Sequence, residues 1–234
     1  MGLSHSPRII TNGLVLCVDA ANKRSYPGAG TTWTDLTANK NNGTLTNMTD
    51  NFSTDGAGSL TFDGANEYVA CVQSFSRNQT QLTISSWVKF NNFTTSRTIY
   101  VETKNDVSSR IDLAVTTSQE IRFAGRDDDS DSFTQFAISA TSLINTDVWY
   151  NIVGVYDPLN TNNNVYLNSV NVTSSSSNLG DGFPDTTSAT QRIGNNGPNT
   201  GYMNGNIAQV SIYNRALTAS EIQQNYLATK GRYA

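Results

Sequence analysis

The chain has 234 residues, of which only 15% are charged, and a formal net charge of −4. Its Lys and Arg are scattered without a basic stripe, which excludes a nucleic-acid surface, and no run approaches the roughly 20 apolar residues of a membrane-spanning helix. Asn, Ser, Thr and Gly are abundant, a mixture that suits a turn-rich β protein with a polar, weakly charged surface.

Residues 1–12 read as an N-terminal arm, without the basic region and long apolar stretch of a secretory leader. Gly13 to Asp19 alternates as a strand, with Leu14, Leu16 and Val18 on one face and Val15 and Cys17 on the other. A Tyr26-Pro27-Gly28 turn follows, then Trp33, Asp35 and Leu36, then a short strand over 44–47. Leu60 to Asp63 enters an Asp-Gly turn and Tyr68 to Val72 leaves it, the pattern of a hairpin or a close relative of one. Leu82 to Phe90 alternates most cleanly: Leu82, Ile84, Ser86, Val88 and Phe90 share a face, and Trp87 takes the other. Short strands are predicted over 97–102, 111–115, 121–124, 133–139 and 191–194. Trp149 to Tyr156 and Val165 to Val172 form a pair around a polar loop, and Ser174 to Ser177 reads as loop.

The end of the chain carries the sharpest local signals. Ala208, Val210 and Ile212 alternate with Gln209 and Ser211, as in a half-buried strand. Thr218 and Glu221 make a capping box, and Leu217 and Ile222 are spaced for a hydrophobic staple. Ile222 and Tyr226 continue an apolar stripe, and Gly231 is placed to stop the helix. So short a helix is marginal alone and must dock on a sheet. About a dozen short strands separated by turn signals predict an all-β sandwich. No linker divides residues 13–234, which read as one domain. Cys17 and Cys71 each sit in a strand-like run, as small buried side chains or as partners in a disulfide.

Several pieces in order resemble the concanavalin A-like lectin/glucanase superfamily in its laminin-G-like branch. They are Gly13-Leu14-Val15-Leu16 with Asp19-Ala20-Ala21-Asn22, Trp33-Thr34-Asp35-Leu36, Asn42-Gly43-Thr44-Leu45 and Leu60-Thr61-Phe62-Asp63-Gly64. They continue with Leu82-Thr83-Ile84-Ser85-Ser86-Trp87-Val88, Trp149-Tyr150-Asn151-Ile152-Val153, Val165-Tyr166-Leu167-Asn168 and Ile212-Tyr213-Asn214-Arg215-Ala216-Leu217. The resemblance implies a jelly-roll β-sandwich with one short C-terminal α-helix. Ser25-Tyr26-Pro27-Gly28 and the ending from Tyr226 to Tyr233 also resemble accessory structural proteins of tailed phages, especially those of marine cyanobacteria. That implies a virion component, such as a head decoration protein or part of a tail fibre, with capsid or tail proteins as partners; symmetric copies of the chain would favour that role.

Glucanases of this superfamily carry a Glu-X-Asp-X-Glu strand, and retaining hydrolysis needs two carboxyls about 5–5.5 Å apart. No such triplet occurs: Glu67, Glu102, Glu120 and Glu221 are isolated, and the single histidine, His5, lies in the arm. The chain therefore reads as non-catalytic. Relatives often hold a structural calcium through an acidic residue at the start of the last core strand, where this chain has Ala208. Asp127, Asp129 and Asp131 alternate as calcium loops do, but Ser132 replaces the expected glycine and no glutamate closes the loop. A solvated hairpin tip, with Arg122 and Arg126 nearby, is the alternative. Lectin sites stack an exposed aromatic on a sugar and satisfy hydroxyls with amides. Tyr202 with Asn196 and Asn199 in one polar loop, and Tyr26, are the candidates, followed by Tyr100, Phe133 and Phe183. The functional expectation is a capsid decoration or tail-fibre protein that binds host-surface polysaccharide; the alternative is a free or cell-surface carbohydrate-binding module.

Overall fold

The computed structural model describes residues 7–71, 75–76, 79–103, 110–126, 133–160, 163–177, 190–197 and 201–233. In chain order the strands are β1 (Leu14–Asp19), β2 (Thr32–Trp33), β3 (Gly43–Thr46), β4 (Phe52–Ser53), β5 (Ser59–Asp63) and β6 (Tyr68–Cys71). They continue with β7 (Leu82–Phe90), β8 (Arg97–Thr103), β9 (Arg110–Val115), β10 (Ile121–Arg126), β11 (Phe133–Ser139) and β12 (Trp149–Tyr156). The last are β13 (Asn164–Leu167), β14 (Val170–Asn171), β15 (Thr173–Ser176), β16 (Thr190–Ile193) and β17 (Asn204–Tyr213), followed by helix α1 (Ala219–Thr229).

These strands form two antiparallel sheets. The first runs β14-β13-β12-β7-β17-β5-β4, with β1 added to β17; the second runs β15-β11-β10-β9-β8-β16-β6-β3-β2. β17 organises the first sheet because its 10 residues serve two partners along one edge. Asn204 to Ile207 pair with β5, Gln209 to Tyr213 pair with β1, and β7 lies along the opposite edge. A bulge between Ile207 and Gln209 falls where the partner changes. It places Ile207 as well as Val210 and Ile212 in the core, so the alternation anchored on Ala208 is one residue out of step at its start. β7 follows its predicted alternation, with Leu82, Ile84, Val88 and Phe90 in the core between the sheets. In β1 a second bulge turns Leu14 outward, paired with Tyr213, while Leu16 and Val18 face the core.

β5 and β6 are not a hairpin. β5 pairs with β17 and β4 in the first sheet, β6 with β16 and β3 in the second. Leu60 and Phe62 meet Val69 and Cys71 in one core from opposite layers, so the turn at Gly64 carries the chain across the sandwich. Thr173–Ser176 is an edge strand on β11 instead of a loop, because an edge needs only backbone hydrogen bonds. Val165 to Val172 is broken by a turn with positive φ at Asn168 and Ser169. Cys17 and Cys71 lie in different sheets with free thiols, and burial pushes them up to about 11 and about 12.

Gly205 shows how tightly β17 fits. It has φ +141°, and a β-carbon there would lie 2.0 Å from the Lys89 carbonyl oxygen of β7. Gly205→Ala should destabilise the fold by about 2–3 kcal/mol, read from denaturant unfolding midpoints.

The helix covers the outer face of the first sheet. Both halves of the capping box form. Leu217 and Ile222 pack with Tyr213, Val153 and Val155 as the staple requires. The hydroxyl of Thr83 accepts from Leu217 N at 3.0 Å and donates to Arg215 O at 2.8 Å, fixing the entry turn. The helix does not stop on a left-handed glycine: it tightens into a 3-10 turn over Lys230–Arg232 that contains Gly231. Beneath its middle the sheet is polar. Ser85, Asn151, Gln209 and Ser211 face Asn225 and Thr229 around a space of about 10 Å³, room for one water. The last residues are docked: Arg232 Nη1 donates to both oxygens of Asp19, at 3.0 and 2.7 Å. At the other end of the chain, Ile10 N donates to Asn225 Oδ1 at 2.7 Å.

Arg215 grips Glu221 through two hydrogen bonds of 2.9 and 2.6 Å. The guanidinium holds the Glu221 carboxyl down, to about 2 from an ordinary 4.5. A carboxyl depressed in the folded state contributes stability above its unfolded pKa, and that contribution is lost as pH falls from about 4.5 through about 2. Glu221→Gln should therefore melt earlier than the parent at neutral pH, by an amount suited to a surface pair of about 1 kcal/mol or less. The difference should shrink below pH ~4.5 and vanish as Glu221 itself protonates; melts across that window check it.

Candidate functional site

Several connections cross between the sheets at one end of the sandwich, and three of them, β5 to β6, β7 to β8, and β16 to β17, meet there. They enclose an open pocket of about 560 Å³, within the size range of small-ligand sites. Gly64 and Ala65 come from the first crossing, Thr95 and Ser96 from the second, Asn196, Gly201 and Tyr202 from the third.

Arg97, 4% exposed at the start of β8, braces two of these loops. Its Nη1 donates to Tyr202 O at 2.9 Å, its Nε to Asn92 O at 3.1 Å, and its Nη2 to Thr94 Oγ1 at 2.9 Å and to Asn92 Oδ1. Burial pulls its pKa below the ordinary guanidinium value. Thr98 N donates to Gly201 O at 3.1 Å, tying β8 to the third loop again. Gly201 has φ +61°, and a β-carbon there would stand 2.6 Å from Asn196 Cβ and 3.0 Å from Thr98 Oγ1, so the loop closes only around glycine. Among the described residues Asn196 Oδ1 and Thr98 Oγ1 have no hydrogen-bond partner.

Among the described residues the pocket thus presents one half-buried aromatic ring, an amide, two hydroxyls and glycine backbone, with no charged side chain in its wall. Such a surface satisfies the hydroxyls of an uncharged polar ligand and offers a ring to its apolar face. Among the described residues its walls contain no carboxyl, imidazole or thiol to move a proton.

Asn196 and Tyr202 therefore line the same pocket, and Asn199 lies outside the described residues. Tyr26 is a core residue: it is 3% exposed, its ring packs on Phe52 at 5.9 Å, and its hydroxyl donates to Gly30 O at 3.0 Å. No face of that ring is open to a sugar. Tyr100 is likewise buried, with its hydroxyl on Glu102 Oε2 at 3.2 Å. Phe183, the Phe133 side chain, His5, and Asp127, Asp129 and Asp131 fall outside the described residues. Arg122 pairs with the buried Asp112 at 2.8 Å, as does Arg110. Among the described residues no group of three His, Cys, Asp or Glu side chains is placed to hold a metal.

The glutamates are engaged in structure. Glu102 accepts from Ser76 Oγ at 2.8 Å and from Phe75 N at 3.2 Å, and Glu67 accepts from Asp63 N at 2.7 Å and Asn51 Nδ2 at 2.8 Å. Glu120 accepts from Thr116 Oγ1 at 2.9 Å. The sequence reading passed over Arg97, Thr95, Ser96 and Gly64. The Asn91-Asn92 and Thr94-Thr95 run was a visible polar loop, but nothing in it pointed to a partner about a hundred residues away.

The fold and the sequence agree on the class. A family profile described as the concanavalin A-like lectin/glucanases superfamily (Laminin_G_3) matches residues 62–223, and the chain belongs to that superfamily. No curated protein sequence matches it. Among solved structures it is similar to domain 4 of AbnA, a GH43 extracellular arabinanase from Geobacillus stearothermophilus in complex with arabinotriose. That similarity has a TM-score of 0.68 and 21% identity and covers 92% of this chain and 98% of that one. It is also similar to Trypanosoma rangeli sialidase in complex with the inhibitor DANA (TM-score 0.67, 16% identity), covering 96% of this chain but 35% of the sialidase. The botulinum neurotoxin type G receptor-binding domain is a third likeness (TM-score 0.58, 18% identity), covering 92% of this chain and 51% of that one. At these identities the likeness is one of fold.

Proposed function

We propose that this chain is a non-catalytic carbohydrate-binding module that holds an uncharged saccharide in the crossover-end pocket. The observation that carries this reading is the lining itself: Tyr202, Asn196, Thr95 and Ser96 gathered, among the described residues, without a charged side chain in a space of about 560 Å³. A structural neighbour, the arabinanase domain, was solved with arabinotriose, which lends the reading support by analogy. An array of neutral pentose and hexose oligosaccharides should show saturable binding, with no release of reducing ends on prolonged incubation. Absence of any neutral-sugar binding would overturn the site, and release of reducing ends would overturn the non-catalytic assignment.

We also propose that the module works as an accessory component of a phage particle, on the capsid or a tail fibre, with host-surface polysaccharide as its target. The support is the sequence resemblance, together with one contact. The segments that carry it are Ser25 to Gly28, after Ala20-Ala21-Asn22, and Tyr226 to Tyr233; the ion pair of Arg232 with Asp19, the residue before Ala20, ties the second to the approach of the first at 2.7 Å. Mass spectrometry and immunogold labelling of purified particles should find the chain in symmetric copies. Its recovery only as free protein would favour the cell-surface or secreted module instead.

A further inference from the structure

A second cleft, of about 290 Å³, opens on the outer face of the first sheet where the end of α1 meets the start of β12. Trp87, Trp149, Tyr226 and Tyr233 wall it, with Asn168, Lys230 and Gly231 beside them. Its aromatic walls are fixed in place. Trp149 Nε1 donates to Asp55 Oδ1 at 2.9 Å, and Asp55 is ion-paired with Lys89, which with the Trp149 bond holds the Asp55 carboxyl below its usual range. Tyr233 stacks on the nearly buried Trp87 at 4.1 Å and tilts against Trp149 at 5.1 Å.

Charge distinguishes this cleft from the crossover-end pocket. Lys230 is exposed, with Nζ 5.7 Å from the Tyr226 ring centroid, and among the described residues no carboxylate lies within ion-pair distance of it. The other nearby cations are engaged, Lys89 with Asp55 and Arg232 with Asp19. Asn168 Oδ1 accepts from Asn151 N at 2.9 Å, which leaves the amide NH2 of Asn168 to donate. The walls therefore combine ring faces, an amide donor and one ammonium with no carboxylate partner among the described residues. The chain's net charge of −4 does not cancel this locally, since exposed charges are screened beyond about 8 Å at physiological ionic strength. The negative end of α1 lies close by, and Lys230 sits where it offsets that partial charge.

We propose that this cleft is a second saccharide site, selective for a sugar ring that bears a carboxylate. The CH face of the ring stacks on the exposed aromatic surface, and the carboxylate accepts from the Lys230 ammonium and the Asn168 amide. Gly231 supplies a clean test, because a β-carbon there meets nothing within 4 Å and the residue does not have positive φ. Gly231→Leu fills the cleft without straining the fold, and Lys230→Ala removes the cation from an exposed position.

The experiment is a tryptophan-fluorescence titration of the full chain with tetragalacturonate, tetramannuronate and tetraguluronate, each beside a neutral tetrasaccharide of the same linkage. At least one uronate should give saturable binding that weakens with added salt, and its neutral counterpart should bind about tenfold more weakly. Lys230→Ala should lose that preference, and Gly231→Leu should lose binding while keeping its unfolding midpoint. Tyr202→Ala should leave the uronate titration unchanged, so failure here and failure of the crossover-end pocket are separate results. No binding by any of the three uronates, equal binding of the neutral partner, or binding indifferent to Gly231→Leu would overturn the proposal.

Discussion

Trp87→Ala should lower the unfolding free energy by about 3–5 kcal/mol, the range for removing a large buried aromatic. Trp87 is 4% exposed and lies on the outer face of β7, under the helix instead of between the sheets. Its ring stacks on Tyr226 at 5.7 Å and on Tyr233 at 4.1 Å, and its Nε1 donates to Thr229 Oγ1 at 2.9 Å. The bed beneath the helix is otherwise polar around its middle, and this side chain packs under the helix's C-terminal half. Its loss leaves Thr229 and the two tyrosines facing a void, and the helix end should fray. Guanidinium unfolding gives the energy, and limited proteolysis should cut the variant first near residues 226–233. Trp87→Phe keeps a stacked ring but loses the hydrogen bond, so it should cost less, about 1–2 kcal/mol.

Tyr202→Ala should weaken neutral-saccharide binding by about 10- to 100-fold while leaving stability within about 1 kcal/mol of the parent. The Tyr202 ring is half-buried at the pocket wall. The Arg97 brace reaches the backbone oxygen of residue 202 and not the ring, so the loop keeps its path when the ring is removed. Isothermal titration with the best neutral ligand from an array measures the loss. Arg97→Ala is the contrasting case, because it releases both loops at once and should lower affinity and melting temperature together.

Much of the architecture was legible because it is written in local patterns. The Thr218–Glu221 box and the Leu217–Ile222 staple depend on residues three to five apart, and both form. The alternation of β7 reports its buried face correctly for the same reason. Alternation does not report which sheet a strand joins. Leu60 and Phe62, and Val69 and Cys71, show identical patterns from opposite layers, so a crossover resembled a hairpin. Nor does it reveal bulges, which moved Leu14 outward and Ile207 inward. Gln209 and Ser211 looked like a solvent face, yet a helix covers them; Gln209 Oε1 accepts from Arg232 Nη2 at 3.2 Å and Ser211 Oγ donates to Cys17 Sγ at 3.8 Å, and a polar face satisfied inside the protein reads like a wet one. Ser174 to Ser176 carries no strand signature because its contribution to the sheet is made by backbone alone.

The candidate site was legible to the extent of one loop. Asn196 and Tyr202 stood out as an amide and an aromatic in a polar stretch. Tyr26 had the same local appearance and proved to be core, because its neighbour Phe52 is distant in sequence. Thr95, Ser96 and Gly64 come from other crossings, and only the closure of the sandwich brings them to Tyr202.

The most direct test of the crossover-end pocket as a sugar site is a titration of the isotope-labelled chain, followed by amide correlation spectra, with the neutral oligosaccharide that binds most tightly. Shifts confined to Gly64, Ala65, Thr95, Ser96, Asn196, Gly201, Tyr202 and their immediate neighbours are the predicted result. Spectra that do not move, or shifts that gather elsewhere and leave these residues untouched, would contradict it.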